Sequence, residues 1–93
     1  MYTKEKILIT DDSALNRQLL ADILGDRYEY LYAGDGVEAL ELLNSRFDID
    51  LLLLDINMPR LDGFSVLSAL KHCDLGRELP VIIISSEDDD GFI

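Results

Sequence analysis

Four consecutive leucines, Leu51 to Leu54, run directly into Asp55. The run is far too short to cross a membrane, which takes about 20 apolar residues. Its unbroken apolar character leaves no polar side for a half-exposed element. It suits a strand buried on both faces, the condition of a central strand in a parallel sheet. Three other runs have strand character. Lys6-Ile7-Leu8-Ile9-Thr10 is rich in β-branched residues and stops at Asp11-Asp12-Ser13. Pro80-Val81-Ile82-Ile83-Ile84 stops at Ser85-Ser86. Tyr28-Glu29-Tyr30-Leu31-Tyr32 is the weakest, its tyrosines suiting a half-exposed edge.

Helical spacing fills the intervals. Leu15, Leu19, Leu20, Ile23 and Leu24 recur with a helix period, and Gly25 supplies a stop. Asp35 opens a second helix with Glu38 three residues on as a capping box, and Val37, Leu40 and Leu43 are its expected buried stripe. Asp62 is placed to cap a third helix that buries Phe64, Leu67 and Leu70. The order is β-α-β-α-β-α-β, without repeats or linkers. This alternation implies a parallel α/β sheet with helices on both faces and right-handed crossovers.

Ligands of such sheets sit at the carboxyl ends of the strands, where strand order reverses. Three of the four expected strands end there in oxygen-bearing side chains: Asp11 and Asp12, Asp55, and Ser85 and Ser86. Parallel strands bring Asp12 and Asp55 together although they are 43 positions apart. Converging carboxylates repel one another, and a divalent cation removes that repulsion. An all-oxygen ligand set favours Mg²⁺ or Mn²⁺ over zinc. Each piece also has a plain structural role. Asp11, Asp12 and Ser13 suit a helix cap, Asp55 suits loop amides, Asp62-Gly63 suits a turn, and Ser85 and Ser86 suit another cap. It is their coincidence on one edge that favours a site.

Composition narrows the partners. Nineteen acids against eight bases give a formal charge of −11, which argues against nucleic acid and against anionic membrane surfaces. The excess acid is compatible with a cation or a basic partner. A single cysteine, Cys73, excludes an internal disulfide and paired-thiolate zinc. Its plain reading is a small, partly buried side chain. His72 beside it reads as a lone surface imidazole. Lys4 and Lys6 are not followed by an apolar stretch long enough for a signal peptide. A soluble, cytoplasmic protein is expected.

Asp11-Asp12, the string Asp55-Ile56-Asn57-Met58-Pro59-Arg60-Leu61-Asp62-Gly63, and Leu79-Pro80 through Ser85 together resemble the receiver domain of two-component response regulators. The Asp-x-x-Met-Pro-x-x-Asp-Gly pattern is the most specific element, and the resemblance runs from about Lys6 to about Glu87. It implies a flavodoxin-like (CheY-like) doubly wound sheet with strand order 2-1-3-4. It also implies that Asp55 is the phosphoacceptor, attacking a phosphohistidine on a sensor histidine kinase or phosphotransfer protein. Asp12 would bind Mg²⁺ directly, Asp11 mostly through a water, and Asp55 and the backbone carbonyl of Asn57 would be further ligands. Ser85 would donate its hydroxyl to a phosphoryl oxygen. Asn57 and Glu87 would flank the line of water attack and tune self-dephosphorylation. The chain would then be a phosphoacceptor rather than an enzyme.

A complete receiver continues into a fifth strand, with a lysine at its end, and a last helix. Residues 1–93 are therefore expected to form one receiver domain, incomplete at its C-terminus. The Val81–Ile84 edge would lie exposed, and the chain is expected either to form homo-oligomers through that edge or its open face, or to be the ordered part of something longer. Two other readings compete. One is a fragment acting only as an interaction or structural module. The other is a haloacid-dehalogenase-type phosphatase, whose general acid would fall at Asn57. A dinucleotide loop is not supported, because Gly34-Asp35-Gly36 lacks the third glycine.

Overall fold

The computed structural model describes residues 4–45, 48–55, 66, 68–69 and 79–84. The elements in chain order are β1 (Lys6–Thr10), α1 (Ala14–Leu24), β2 (Glu29–Ala33), α2 (Gly36–Ser45), β3 (Leu51–Asp55) and β4 (Val81–Ile84). Val66, Ser68 and Ala69 are also helical, where the third helix was expected. The sheet order is β2-β1-β3-β4, and every pairing is parallel. This is the doubly wound α/β architecture and the strand order that the sequence implied.

The two central strands carry the core. From Ile7 to Thr10 and from Leu52 to Asp55 every residue is buried. The pleat divides them between two layers. Leu8, Leu52 and Leu54 meet Ala39 and Leu43 of α2 and Val66. Ile7, Ile9 and Leu53 meet Ala21 of α1 on the other face. Full burial of a Leu or Ile side chain contributes about 1.5–3 kcal/mol, so these two strands dominate the stability of the sheet. The unbroken leucine run is thus explained, since polar residues have no outward face to occupy.

The helix ends follow local chemistry. Ser13 caps α1, its Oγ accepting from the Asn16 N–H at 3.2 Å. Gly25 ends the helix with φ 92°, a conformation natural to glycine, and its N–H donates to the Ala21 carbonyl at 2.9 Å. At α2 the Asp35 carboxylate accepts from the Glu38 N–H at 2.8 Å. Glu38 returns the favour to the N–H of Gly34 rather than to that of Asp35, so the expected capping box closes one residue early.

Helical spacing alone does not fix which residues are buried. On α1, Ala21 is the buried residue, with Leu20 and Leu24 packed beside it, whereas Leu15, Leu19 and Ile23 are 68%, 47% and 78% exposed. Those three lie four apart, on a face adjacent to the sheet-facing one. On α2, Gly36, Ala39 and Leu43 are buried, while Val37 and Leu40 are only half-buried. Small residues let the helix backbone approach the sheet, and the larger side chains flank that contact. Phe64, Leu67 and Leu70 lie outside the described residues.

Both outer strands have the open character expected of edges. In β2, Tyr30 is half-buried and donates its hydroxyl to the Gly25 carbonyl, and Tyr28 meets its ring edge-on. Tyr32 is exposed. In β4, Ile82 and Ile83 are 50% and 43% exposed, on opposite faces. At the amino end of β1, Lys6 pairs with Asp48 at 3.7 Å, and its N–H donates to Asp50.

Thr10 is fully buried, yet its hydroxyl has no hydrogen-bond partner among the described residues. A buried hydroxyl without a partner is destabilising, and Val has the same shape without that cost. Thr10→Val is expected to raise stability by about 1 kcal/mol, read as a higher urea midpoint at unchanged slope. A lower midpoint would show that the hydroxyl is satisfied in solution.

Candidate functional site

β1 and β3 pair in parallel with Ile7 opposite Leu51 and Thr10 opposite Leu54. Continuing that register by one residue sets Asp11 level with Asp55. One carboxylate oxygen each from Asp11, Asp12 and Asp55 falls within 4.8 Å of the others. Asp11 and Asp55 are fully buried, and Asp12 is exposed. The cluster therefore has a closed floor and one side open to solvent.

Asp11 is held in detail. Its N–H continues the sheet by donating to the Ala33 carbonyl at 3.0 Å. Its Oδ1 accepts the Ser13 N–H at 2.9 Å, while Oδ2 is buried without a hydrogen-bond partner. Burial pushes its carboxyl above the ordinary range, and the charges of Asp55 and Asp12 add to that. The Ser13 N–H and the Asn16 side chain work in the opposite direction. Ser13 performs the capping, so the plain role foreseen for this triplet is real, but it leaves Asp11 and Asp12 available to the cluster.

These residues fit a hard divalent cation. Among the described residues all donors are carboxylate oxygens. A buried carboxylate oxygen without a donor wants either a proton or positive charge beside it.

The structure thus brings together Asp11, Asp12 and Asp55. Asn57, Ser85 and Glu87 lie outside the described residues, as do Met58-Pro59, Asp62-Gly63, His72 and Cys73. Ile84, the last residue of β4, is level with Asp55.

The sequence reading missed Arg17. Its Nη1 donates to the Asp11 carbonyl at 2.6 Å. The available signal was its place in the first turn of α1, which holds no acid. A cation is unfavourable at that end of the helix dipole, so a specific partner was to be sought.

Fold and site together define a doubly wound α/β domain with an acidic cluster at its switch point. The sequence profile of the "Response regulator receiver domain" matches residues 7–93, and the chain belongs to that family. It is 44% identical over 81 residues to the sensor histidine kinase RcsC of Escherichia coli K12, covering 86% of this chain and 8% of RcsC. It is 43% identical to a protein-glutamate methylesterase/protein-glutamine glutaminase of Rhodospirillum rubrum, covering 92% of this chain and 23% of that protein. Among solved structures, the chemotaxis protein CheY4 of Vibrio cholerae superposes with a TM-score of 0.81 at 30% identity, covering 97% of this chain and 75% of CheY4. The chain spans only a small part of these two curated relatives. Members of the family are in general phosphoacceptors of two-component signalling, and membership sets the dehalogenase-type reading aside. Among the described residues no helix is long and apolar enough to cross a membrane.

Burial sets the sign of a pH effect. With its folded pKa raised, Asp11 binds a proton in the native state where the unfolded chain has already lost it. Stability therefore falls as pH rises from the ordinary carboxylate pKa through the raised one, and the deficit persists above it. In EDTA at neutral pH, Asp11→Asn is expected to melt a few degrees higher than wild type. The gap should close as pH falls through the raised pKa. Thermal melts across a pH series check this, and a variant less stable than wild type at neutral pH would contradict it.

Proposed function

We propose that this chain is a phosphoacceptor receiver that takes a phosphoryl group on Asp55 from a phosphohistidine of a sensor kinase or phosphotransfer protein. The observation that carries this reading is the buried Asp55 at the end of β3, with oxygens of Asp11 and Asp12 inside 4.8 Å. An Asp55 oxygen attacks phosphorus in line, an O–P bond forms and the N–P bond breaks. The electron pair leaves on the donor imidazole. The product is an acyl phosphate, a modification of the chain rather than turnover of a substrate.

Asp11, Asp12 and Asp55, with the backbone carbonyl of Asn57, would hold Mg²⁺. When bound, the ion neutralises charge on the phosphoryl oxygens, which together with positioning is most of what phosphoryl transfer requires. Ser85 donates its hydroxyl to a phosphoryl oxygen. Asn57 and Glu87 flank the path of a hydrolytic water, and their polar side chains favour a short-lived phosphoprotein. Residues 1–93 act as one receiver unit in the cytoplasm. The exposed Ile82 and Ile83 of β4 support self-association along that edge, and light scattering that shows a monomer at every concentration would remove this part.

Acetyl phosphate with Mg²⁺, read by intact mass, tests the central step. Wild type is expected to gain one phosphoryl group and Asp55→Asn none. Labelling of both alike would overturn the assignment, and labelling of neither would favour an interaction module. By isothermal titration, Asp12→Ala should bind Mg²⁺ roughly tenfold more weakly. Apolar residues at 57 and 87 should slow decay of the label. An unchanged decay rate would show that these positions do not gate water.

A further inference from the structure

Beside the Asn16 side chain, three hydrogen bonds hold Asp11, and two of them are generic. The sheet supplies the bond from its N–H to Ala33, and the helix-entry turn supplies the bond from the Ser13 N–H to its Oδ1. The third reaches back from α1, where the Arg17 guanidinium donates to the Asp11 carbonyl at 2.6 Å across six residues. A charged donor makes a shorter and stronger bond than a neutral one, and a planar guanidinium loses little freedom in making it.

The placement of Arg17 is selective. Among the described residues the other cations lie toward the amino end of the sheet. Lys4 precedes β1, Lys6 begins it and Arg27 precedes β2. Of the described cations, Arg17 alone stands at the carboxyl edge. It is half-buried, with Nη1 close over Gly34, where an added Cβ would meet it at 3.6 Å. Its bond is to a carbonyl, whereas the Asp11 carboxylate takes the Ser13 N–H.

We propose that Arg17 is a positioning residue for the acidic site, which through the Asp11 carbonyl fixes the Asp11–Ser13 turn and holds the Asp11 carboxylate in the cluster with Asp55. This rests on the reading of that cluster as a Mg²⁺ site. The competing role is a counter-charge that offsets the acids, and the two roles differ in sign. A counter-charge opposes a bound cation, so removing it raises Mg²⁺ affinity. A clamp supplies geometry, so removing it lowers affinity.

Isothermal titration with MgCl₂ on the full chain, with thermal melts of each variant, separates them. Arg17→Met, close in length but uncharged, is expected to bind about tenfold more weakly, the size of effect typical when support behind a metal ligand is lost. Arg17→Lys keeps a donor and the charge but not the fork, and is expected between Met and wild type. In Mg²⁺-free protein, hydrogen exchange at the Ser13 amide should speed up in Arg17→Met while the Gly25 amide at the far end of α1 stays unchanged. Affinity in Arg17→Met equal to or above wild type overturns the proposal. If Arg17→Met does not melt cooperatively, Arg17→Lys and Arg17→Gln carry the same comparison, with wild-type affinity in both again contrary. Absence of Mg²⁺ binding by wild type, or equal binding by Asp12→Ala, removes the site reading and the proposal with it. Wild-type binding by Arg17→Met alone removes only the proposal.

Discussion

The parallel pairing of β1 with β3 is the constraint on which the rest of this molecule depends. It aligns residues 44 apart in sequence, Ile7 with Leu51 and Thr10 with Leu54. It buries both strands on both faces, and it ends them together. Two acids that open water would keep apart are thereby fixed side by side, with a third at the rim. Apolar burial along the strands supplies the free energy that holds these charges in place, at about 25 cal/mol per Å² removed from water.

The site is accordingly a place where stability yields to chemistry. Asp11 is buried, one of its oxygens has no donor, and its charge is raised in energy by burial and by its neighbours. The same tension makes a cation welcome, since positive charge relieves both the unpartnered oxygen and the repulsion. Local anchors keep the strain from dissipating. Ser13 holds one oxygen of Asp11, Ala33 its N–H and Arg17 its carbonyl.

The helices divide their surfaces unevenly around this frame. α2 meets the sheet through Gly36, Ala39 and Leu43, and α1 through Ala21 with Leu20 and Leu24. Leu15, Leu19 and Ile23 are left facing outward on α1. The apolar surface of α1 is thus wider than the layer beneath it covers. The open β4 edge, with Ile82 and Ile83, has the same character.

Much of this was legible in the residues alone. Continuous apolar runs ending in Asp mark buried strands, since a strand with two buried faces admits no alternation. Ser13, Gly25 and Asp35 mark helix ends through bonds to backbone groups a few residues away. Alternation of the two element types then dictates a parallel sheet, and a parallel sheet puts Asp11, Asp12 and Asp55 on one edge. These are consequences of short-range chemistry and chain connectivity, which a sequence carries directly. Tertiary structure alone decided that Asp11 is buried while its neighbour Asp12 is exposed, that Arg17 rather than a nearer group holds the Asp11 carbonyl, and that Ala21 rather than Leu19 or Ile23 faces the sheet. Each depends on what a distant segment places opposite the residue. Periodicity within an element is silent on that, because two faces of one helix can be equally apolar while the fold covers only one.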